Sequence, residues 1–186
     1  MNNIYKVYSV ILRKIIFLLD GVNNRIYTKL YCLYLKKRGV QFNGMANYIS
    51  SSAYLDGQGL NIIKIGKDVV ISREAMLLTH DYSVETSLHS DNKGSMDRHI
   101  HINNTITIGD NSFIGARASL LPGTNIGKNC IIGACAVVKG NIPDGKIVVG
   151  NPGKIVGETK ELYKKYKKLG MILGDERWII LKNVLL

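Results

Sequence analysis

From Ile108 onward an aliphatic residue returns at every sixth position: Ile108, Ile114, Leu120, Ile126, Ile132 and Val138. Four positions after each stands a small or β-branched residue: Ser112, Ala118, Thr124, Cys130, Ala136 and Ile142. Gly follows the aliphatic residue at 109, 115, 127 and 133, and an earlier block with Ile65, Ile71 and Leu77 keeps the same spacing. Ile49 and Leu55 are placed to begin the series. A period of six fits neither the 3.6 of a helix nor the strict alternation of a two-faced strand. It predicts a short strand with one aliphatic residue inward, a turn that Gly eases, and another short strand. Three such units close a coil of 18 residues, which sets Ile108 under Ile126, Ile114 under Ile132 and Leu120 under Val138. A single coil cannot bury its own aliphatic face, so its neighbours must complete the core. The prediction is an all-β solenoid core, a parallel β-helix of triangular section.

The register breaks once. Leu77 to Ile102 is 25 residues, one more than four repeats, and residues 81–101 between them are polar and histidine-rich. A long loop inside a regular solenoid is more often functional than decorative. The repeat region is read as residues 43–157, with the loop 81–101 extruded from it. Before it, residues 2–19 and 24–38 read as two helices broken at Asp20-Gly21, together a basic, aromatic-rich segment over 1–42. After it, residues 158–169 read as a basic helix capping the coil within a segment 158–186, whose apolar end, Asp175 to Leu186, has no assigned role.

Charge sharpens this division. The net +11 of the chain is confined to the flanks: residues 1–42 hold eight Lys/Arg against the one acid Asp20, residues 43–153 balance to zero, and residues 154–186 carry +4. A nucleic-acid binder places its basic face on the folded body, so nucleic acid is not expected as a partner. A neutral body with basic ends suits a membrane surface touched through residues 1–38. The alternative is a helical pair packed on the coil or its oligomer mates. Arg13 and Lys14 interrupt the N-terminal apolar run, so it is not expected to span a bilayer. The odd count of three cysteines, Cys32, Cys130 and Cys135, fits a reducing compartment, and Cys130 and Cys135 read as small buried residues. The expected location is cytoplasmic, peripheral on the inner face of the membrane if the flank binds there.

The repeat, and above all the stretch IGKNCIIGACAVVKGNIPDGKIVVGNPGKIV from Ile126 to Val156, resembles the hexapeptide-repeat acyltransferases, specifically their sugar and polysaccharide O-acetyltransferase subgroup. The resemblance covers residues 49–157 and implies a left-handed β-helix assembled as a homotrimer, with sites between subunits. It also implies acetyl-coenzyme A as acyl donor, a sugar or surface-polysaccharide precursor as acceptor, and no metal.

The resemblance places a catalytic histidine at His80, in Leu77-Leu78-Thr79-His80-Asp81-Tyr82. The chemistry calls for one, because an alcohol is a poor nucleophile near neutral pH and an imidazole can take its proton as it attacks the thioester. On position alone His80 is equally a surface histidine. A base also needs an acceptor on its other ring nitrogen, for which Asp81 and Glu85 are the candidate side chains and a backbone carbonyl an alternative. Coenzyme A is implied to lie along the last coils, past Ala116 and Ala134, with its phosphates toward Lys154, Lys139 and Arg117. The family often has Lys after Val-Val-Thr, whereas here Val137-Val138 runs directly into Lys139, so that charge is shifted by one residue.

Three other readings stay open. One is N-acetylation of a nucleotide-linked amino sugar, whose amine needs less help from a base. A second is a hydratase resembling the gamma-class carbonic anhydrases, with His80, His99 and His101 on a metal. The last is a non-catalytic scaffold.

Overall fold

The computed structural model describes residues 3–56, 60–90 and 100–171. Its strands are mostly two residues long, and the chain visits three parallel sheets in turn. The first sheet stacks Gln41–Asn43, Ile63–Gly66, Ile106–Ile108, Asn125–Ile126 and Asn141–Ile142. The second stacks Tyr48–Ile49, Val70–Ile71, Phe113–Ile114, Ile131–Ile132 and Lys146–Val149. The third stacks Tyr54–Leu55, Met76–Leu77, Ser119–Leu120 and Val137–Val138. Ile108 pairs with Ile126, Ile114 with Ile132 and Leu120 with Val138, the 18-residue register read from the sequence. The inward residues form the core: Ile65, Ile108, Ile126, Ile71, Ile114 and Leu120 are each no more than 1% exposed. One residue per short strand is thus removed from water, each burial contributing roughly 1.5–3 kcal/mol against the entropy of ordering the chain.

Glycine serves a different purpose from the one its place in the repeat suggests. The left-handed turn positions are Asp68, Asn111 and Asn129 at one corner and Glu74, Arg117 and Cys135 at another, with φ between 55° and 59°. Gly109 and Gly115 are absent from that region of φ. A Cβ on Gly109 would lie 2.6 Å from the carbonyl carbon of Gly127, and one on Gly115 would lie 2.6 Å from the amide nitrogen of Ala134. They are glycines because the next coil's backbone passes where a side chain would start.

The period fails at both ends and in the middle. In the first coil Ile49 pairs with Ile71 and Leu55 with Leu77, an offset of 22. In the last, Ile126 pairs with Ile142 and Ile132 with Val148, an offset of 16. Between them Leu77 pairs with Leu120, an offset of 43, so 25 residues are extruded. The excursion leaves through His80–Asp81, which pairs antiparallel with the returning Ile102–Asn103. It also carries a short helix, Ser83–Ser90, not foreseen in a stretch read as polar loop.

Two helices, α1 (Asn3–Phe17) and α2 (Asn24–Lys37), cover the open first coil. Asn23 caps α2 by accepting the Ile26 amide, and α2 then buries Tyr27, Tyr31, Cys32 and Leu35 at four- and three-residue spacing. The Tyr27 hydroxyl donates to the Ile49 carbonyl at 2.8 Å, tying the helix to the second sheet. Burial drives the Tyr27 phenol far above its ordinary range and pushes Tyr31 up to about 12. At the other end Lys154–Glu158 doubles back antiparallel on Lys146–Val149. The C-terminal helix Thr159–Lys168, read from the sequence as a cap on the coil, follows this strand and buries none of its residues. Asp175 to Leu186 lies outside the described residues.

Cys32 and Cys130 are buried, but Cys135 is exposed at its turn, unlike the buried residue its spacing suggests. Burial raises the Cys32 thiol to about 11, only partly offset by a backbone hydrogen bond from Ala46. Iodoacetamide at pH 8 should therefore add one carboxamidomethyl group per native chain, at Cys135, when followed by intact mass and peptide mapping. Rapid labelling of Cys32 or Cys130 in the folded protein would contradict this packing.

Candidate active site

The third sheet carries the chain through Met76–Leu77 to Leu78, the buried Thr79, and then His80, where the excursion begins. One coil earlier Leu55 ends its strand beneath Leu77, and the next residue is Asp56, whose amide donates to the Leu77 carbonyl at 3.1 Å. The stack thus sets a carboxylate under the point where the coil opens. Asp56 is 1% exposed, and its Oδ2 accepts from the Thr79 amide at 3.1 Å and the Thr79 hydroxyl at 2.8 Å. The Nδ1 of His80 meets the same oxygen.

A carboxylate removed from water is tolerated only when donors or a cation satisfy it. Two donors on Asp56 Oδ2 are fixed by the backbone and side chain of Thr79, and the imidazole supplies a third. That contact assigns the proton of a neutral His80 to Nδ1 and leaves Nε2 with a lone pair. The His80 side chain is 21% exposed, so the ring is held from beneath and open above. Chemically this is an oriented base.

Neither acid singled out from the sequence is that partner. Asp81 Oδ1 accepts from the Ser83 amide at 2.8 Å, capping the loop helix. Its carboxyl is held below the ordinary range, first by that amide, then by the Ser83 hydroxyl, with Lys139 and His80 adding to it. Glu85 sits 3.9 Å from His89, one turn along the same helix. Both contacts lie within the excursion. Tyr82 and His101 do approach: their rings stand 5.3 Å and 6.2 Å from that of His80 and 4.9 Å from each other. Among the described residues no three His, Cys, Asp or Glu side chains are grouped to hold a metal. His99, the third member of the metal reading, lies outside them.

Ala116 and Ala134 stack at one corner of the third sheet, where the Cys135 amide donates to the Ala116 carbonyl at 2.9 Å. Arg117, beside them, is turned to Glu74 at 2.8 Å. At the other end of the sheet, Leu78 donates to Leu120 and Leu121 to Val138, which places Lys139 in line above the start of the excursion. Lys139 and Lys154 are both exposed.

Residues 105–140 match the family profile described as "Bacterial transferase hexapeptide (six repeats)". WbbJ of Escherichia coli K12, assigned as a lipopolysaccharide biosynthesis O-acetyl transferase, is 27% identical over 135 residues, 70% of this chain and 67% of its own. Over its coil the chain is similar to the hexapeptide-repeat acyltransferases. It spans about half or less of the length of several other curated relatives it matches, which are likewise assigned as acetyltransferases. A hexapeptide-repeat acetyltransferase of Vibrio cholerae, solved with acetyl coenzyme A, matches at TM-score 0.54 and 23% identity, over 65% of this chain and 61% of that one. A galactoside acetyltransferase solved with coenzyme A matches at TM-score 0.55 and 21% identity, over 84% of each chain. At such identities these likenesses speak to the fold.

The surface beside the third sheet offers exposed backbone at one end and cations at the other. Among the described residues neither Ala116 nor Ala134 donates its amide within the chain, and their methyl side chains leave the backbone approachable. An unpaired N–H beside a small side chain suits the amides of a pantetheine arm. Arg117 fits less well than Lys139 and Lys154, because Glu74 already neutralises it.

Asp56 is the candidate site residue that the repeat pattern hides. Its signal was the Leu55-Asp56 pair one coil before Leu77-Leu78, visible only once the 22-residue offset is known.

Proposed function

We propose that the protein transfers an acetyl group from acetyl-coenzyme A to a hydroxyl of a sugar or surface-polysaccharide precursor. The observation that carries this reading is the buried Asp56 carboxylate seated on His80 Nδ1 at the mouth of the excursion. The donor supplies a thioester carbonyl. His80 Nε2 accepts the proton of the acceptor hydroxyl as its oxygen attacks that carbon, and Asp56 stabilises the imidazolium so formed. The proton then returns to the departing thiolate. No covalent bond to the protein is required.

A buried carboxylate–imidazole pair suits an alcohol more than an amine, since an unprotonated amine needs little deprotonation. In this reading the three parallel sheets form the left-handed β-helix of the family, three copies associate, and the open side of His80 faces a neighbouring copy. Ala116 and Ala134 receive the pantetheine arm, and Lys139 and Lys154 the phosphates.

Calorimetry with coenzyme A tests the donor side. The Lys139→Glu, Lys154→Glu double variant should bind at least about 10-fold more weakly than the native protein, with a reduced salt dependence. Binding that is absent in the native protein, or unaffected by the double variant, would contradict the proposed donor site.

A further inference from the structure

Nothing in the acyl-transfer reading uses the outer side of the N-terminal flank. Facing the coil, α1 buries Ile16 and α2 buries Tyr27, Tyr31 and Leu35. Facing away, Val7, Ile11 and Leu18 of the first helix and its exit are exposed, as are Val22 of the turn and Ile26 and Leu30 of the second helix, with Leu18 at 75% and Val22 at 80%. So large an apolar display on a folded protein marks a contact surface. Between these residues stand Lys14, Arg25, Lys29, Lys36 and Lys37, all exposed and, among the described residues, in no ion pair.

The acid of this flank is turned inward. Asp20 accepts from the Tyr48 hydroxyl at 2.8 Å and from the amide and hydroxyl of Ser51. Burial raises its carboxyl, but the hydrogen bonds from Ser51 and Tyr48 outweigh it and hold the group below its ordinary range, so it stays ionised within the fold. The outer side therefore presents cations and apolar side chains with no negative charge among them.

We infer that this side docks on an anionic lipid bilayer surface, α1 and α2 lying in the interface with their apolar residues below the headgroups and their cations among the phosphates. Three observations choose this occupant. Self-association through the same side would set cations against cations, with no acid in residues 1–42 left outside to oppose them. A purely polar polyanion would leave Leu18 and Val22 in water. No described helix is long and apolar enough to cross a bilayer, and the 15 residues of α1 reach about 22 Å against a hydrocarbon core of about 30 Å, so lying in the interface is the arrangement open to it.

Flotation of the full chain with vesicles, without acetyl-coenzyme A, tests this separately from catalysis. The protein should float with phosphatidylcholine–phosphatidylglycerol vesicles, far less with phosphatidylcholine alone, and less as salt is raised. Two double variants at exposed positions, Leu18→Glu with Val22→Glu and Arg25→Glu with Lys29→Glu, should each lower partitioning at least about 10-fold. Their thermal unfolding and their turnover on a soluble acceptor should be unchanged. Equal flotation on neutral and anionic vesicles, or native-like flotation of both variants, would overturn the inference. So would a native protein that stays off vesicles and whose variants instead change sedimentation coefficient, which would make this side a contact between copies.

Discussion

His80→Ala should lower kcat by about 10²- to 10⁴-fold while leaving the Kd for coenzyme A unchanged, because the imidazole is assigned to the acceptor's proton rather than to the donor's binding. The loss is a loss of general-base catalysis, so it should be largest for hydroxyl acceptors and small for an amine that is already unprotonated. Steady-state kinetics with both acceptor types, alongside calorimetry, separates the two effects. The ring stands where the coil opens, and Asp56 keeps both Thr79 donors when it is removed, so the variant should fold. A variant retaining most of its turnover on hydroxyl acceptors would return His80 to the role of a surface histidine.

Asp56 should matter almost as much through a different route. Asp56→Asn keeps the shape of the buried group and an oxygen for the Thr79 donors, but removes the charge that faces the imidazolium formed during the reaction. The expected result is a fall in kcat on the order of 10², little change in KM for acetyl-coenzyme A, and near-native thermal unfolding. Asp56→Ala adds a structural cost, since it strands the Thr79 amide and hydroxyl without an acceptor, about 1–3 kcal/mol for buried donors. The pair distinguishes a residue that positions the base from one that only holds the coil. A merely structural Asp56 would show unfolding changes in both variants and catalytic loss only in proportion to them.

The core was legible because its period is itself a packing requirement: one inward aliphatic residue per short strand, three strands per coil, and Ile108, Ile114 and Leu120 land on Ile126, Ile132 and Val138. Asp56 was not, because four residues inserted beyond Leu55 shift the first coil to a 22-residue offset, and a partner set by stacking has no fixed distance along the chain. Proximity in sequence favoured Asp81 and Glu85 instead. Yet Asp81 stands just before a short helix, whose first amide it accepts, and Glu85 lies in the first turn of that helix. Gly109 and Gly115 show the same limit, since spacing marks a glycine without telling whether φ or a neighbouring coil requires it. The coenzyme A candidates were separable only in three dimensions, where Glu74 claims Arg117 and the stack brings Lys139 to the side of His80.

Acyl transfer to a hydroxyl through the Asp56–His80 pair is the reaction proposed for this protein. The most direct test incubates the native protein with acetyl-coenzyme A and a panel of sugars, lipid-linked oligosaccharides and amino sugars, following free thiol and the mass of the acceptor. Thiol release should depend on a hydroxyl acceptor, with one acetyl group found on an oxygen of that acceptor. Thiol release with no hydroxyl acceptor on the panel, or acetyl found only on nitrogen, would contradict it.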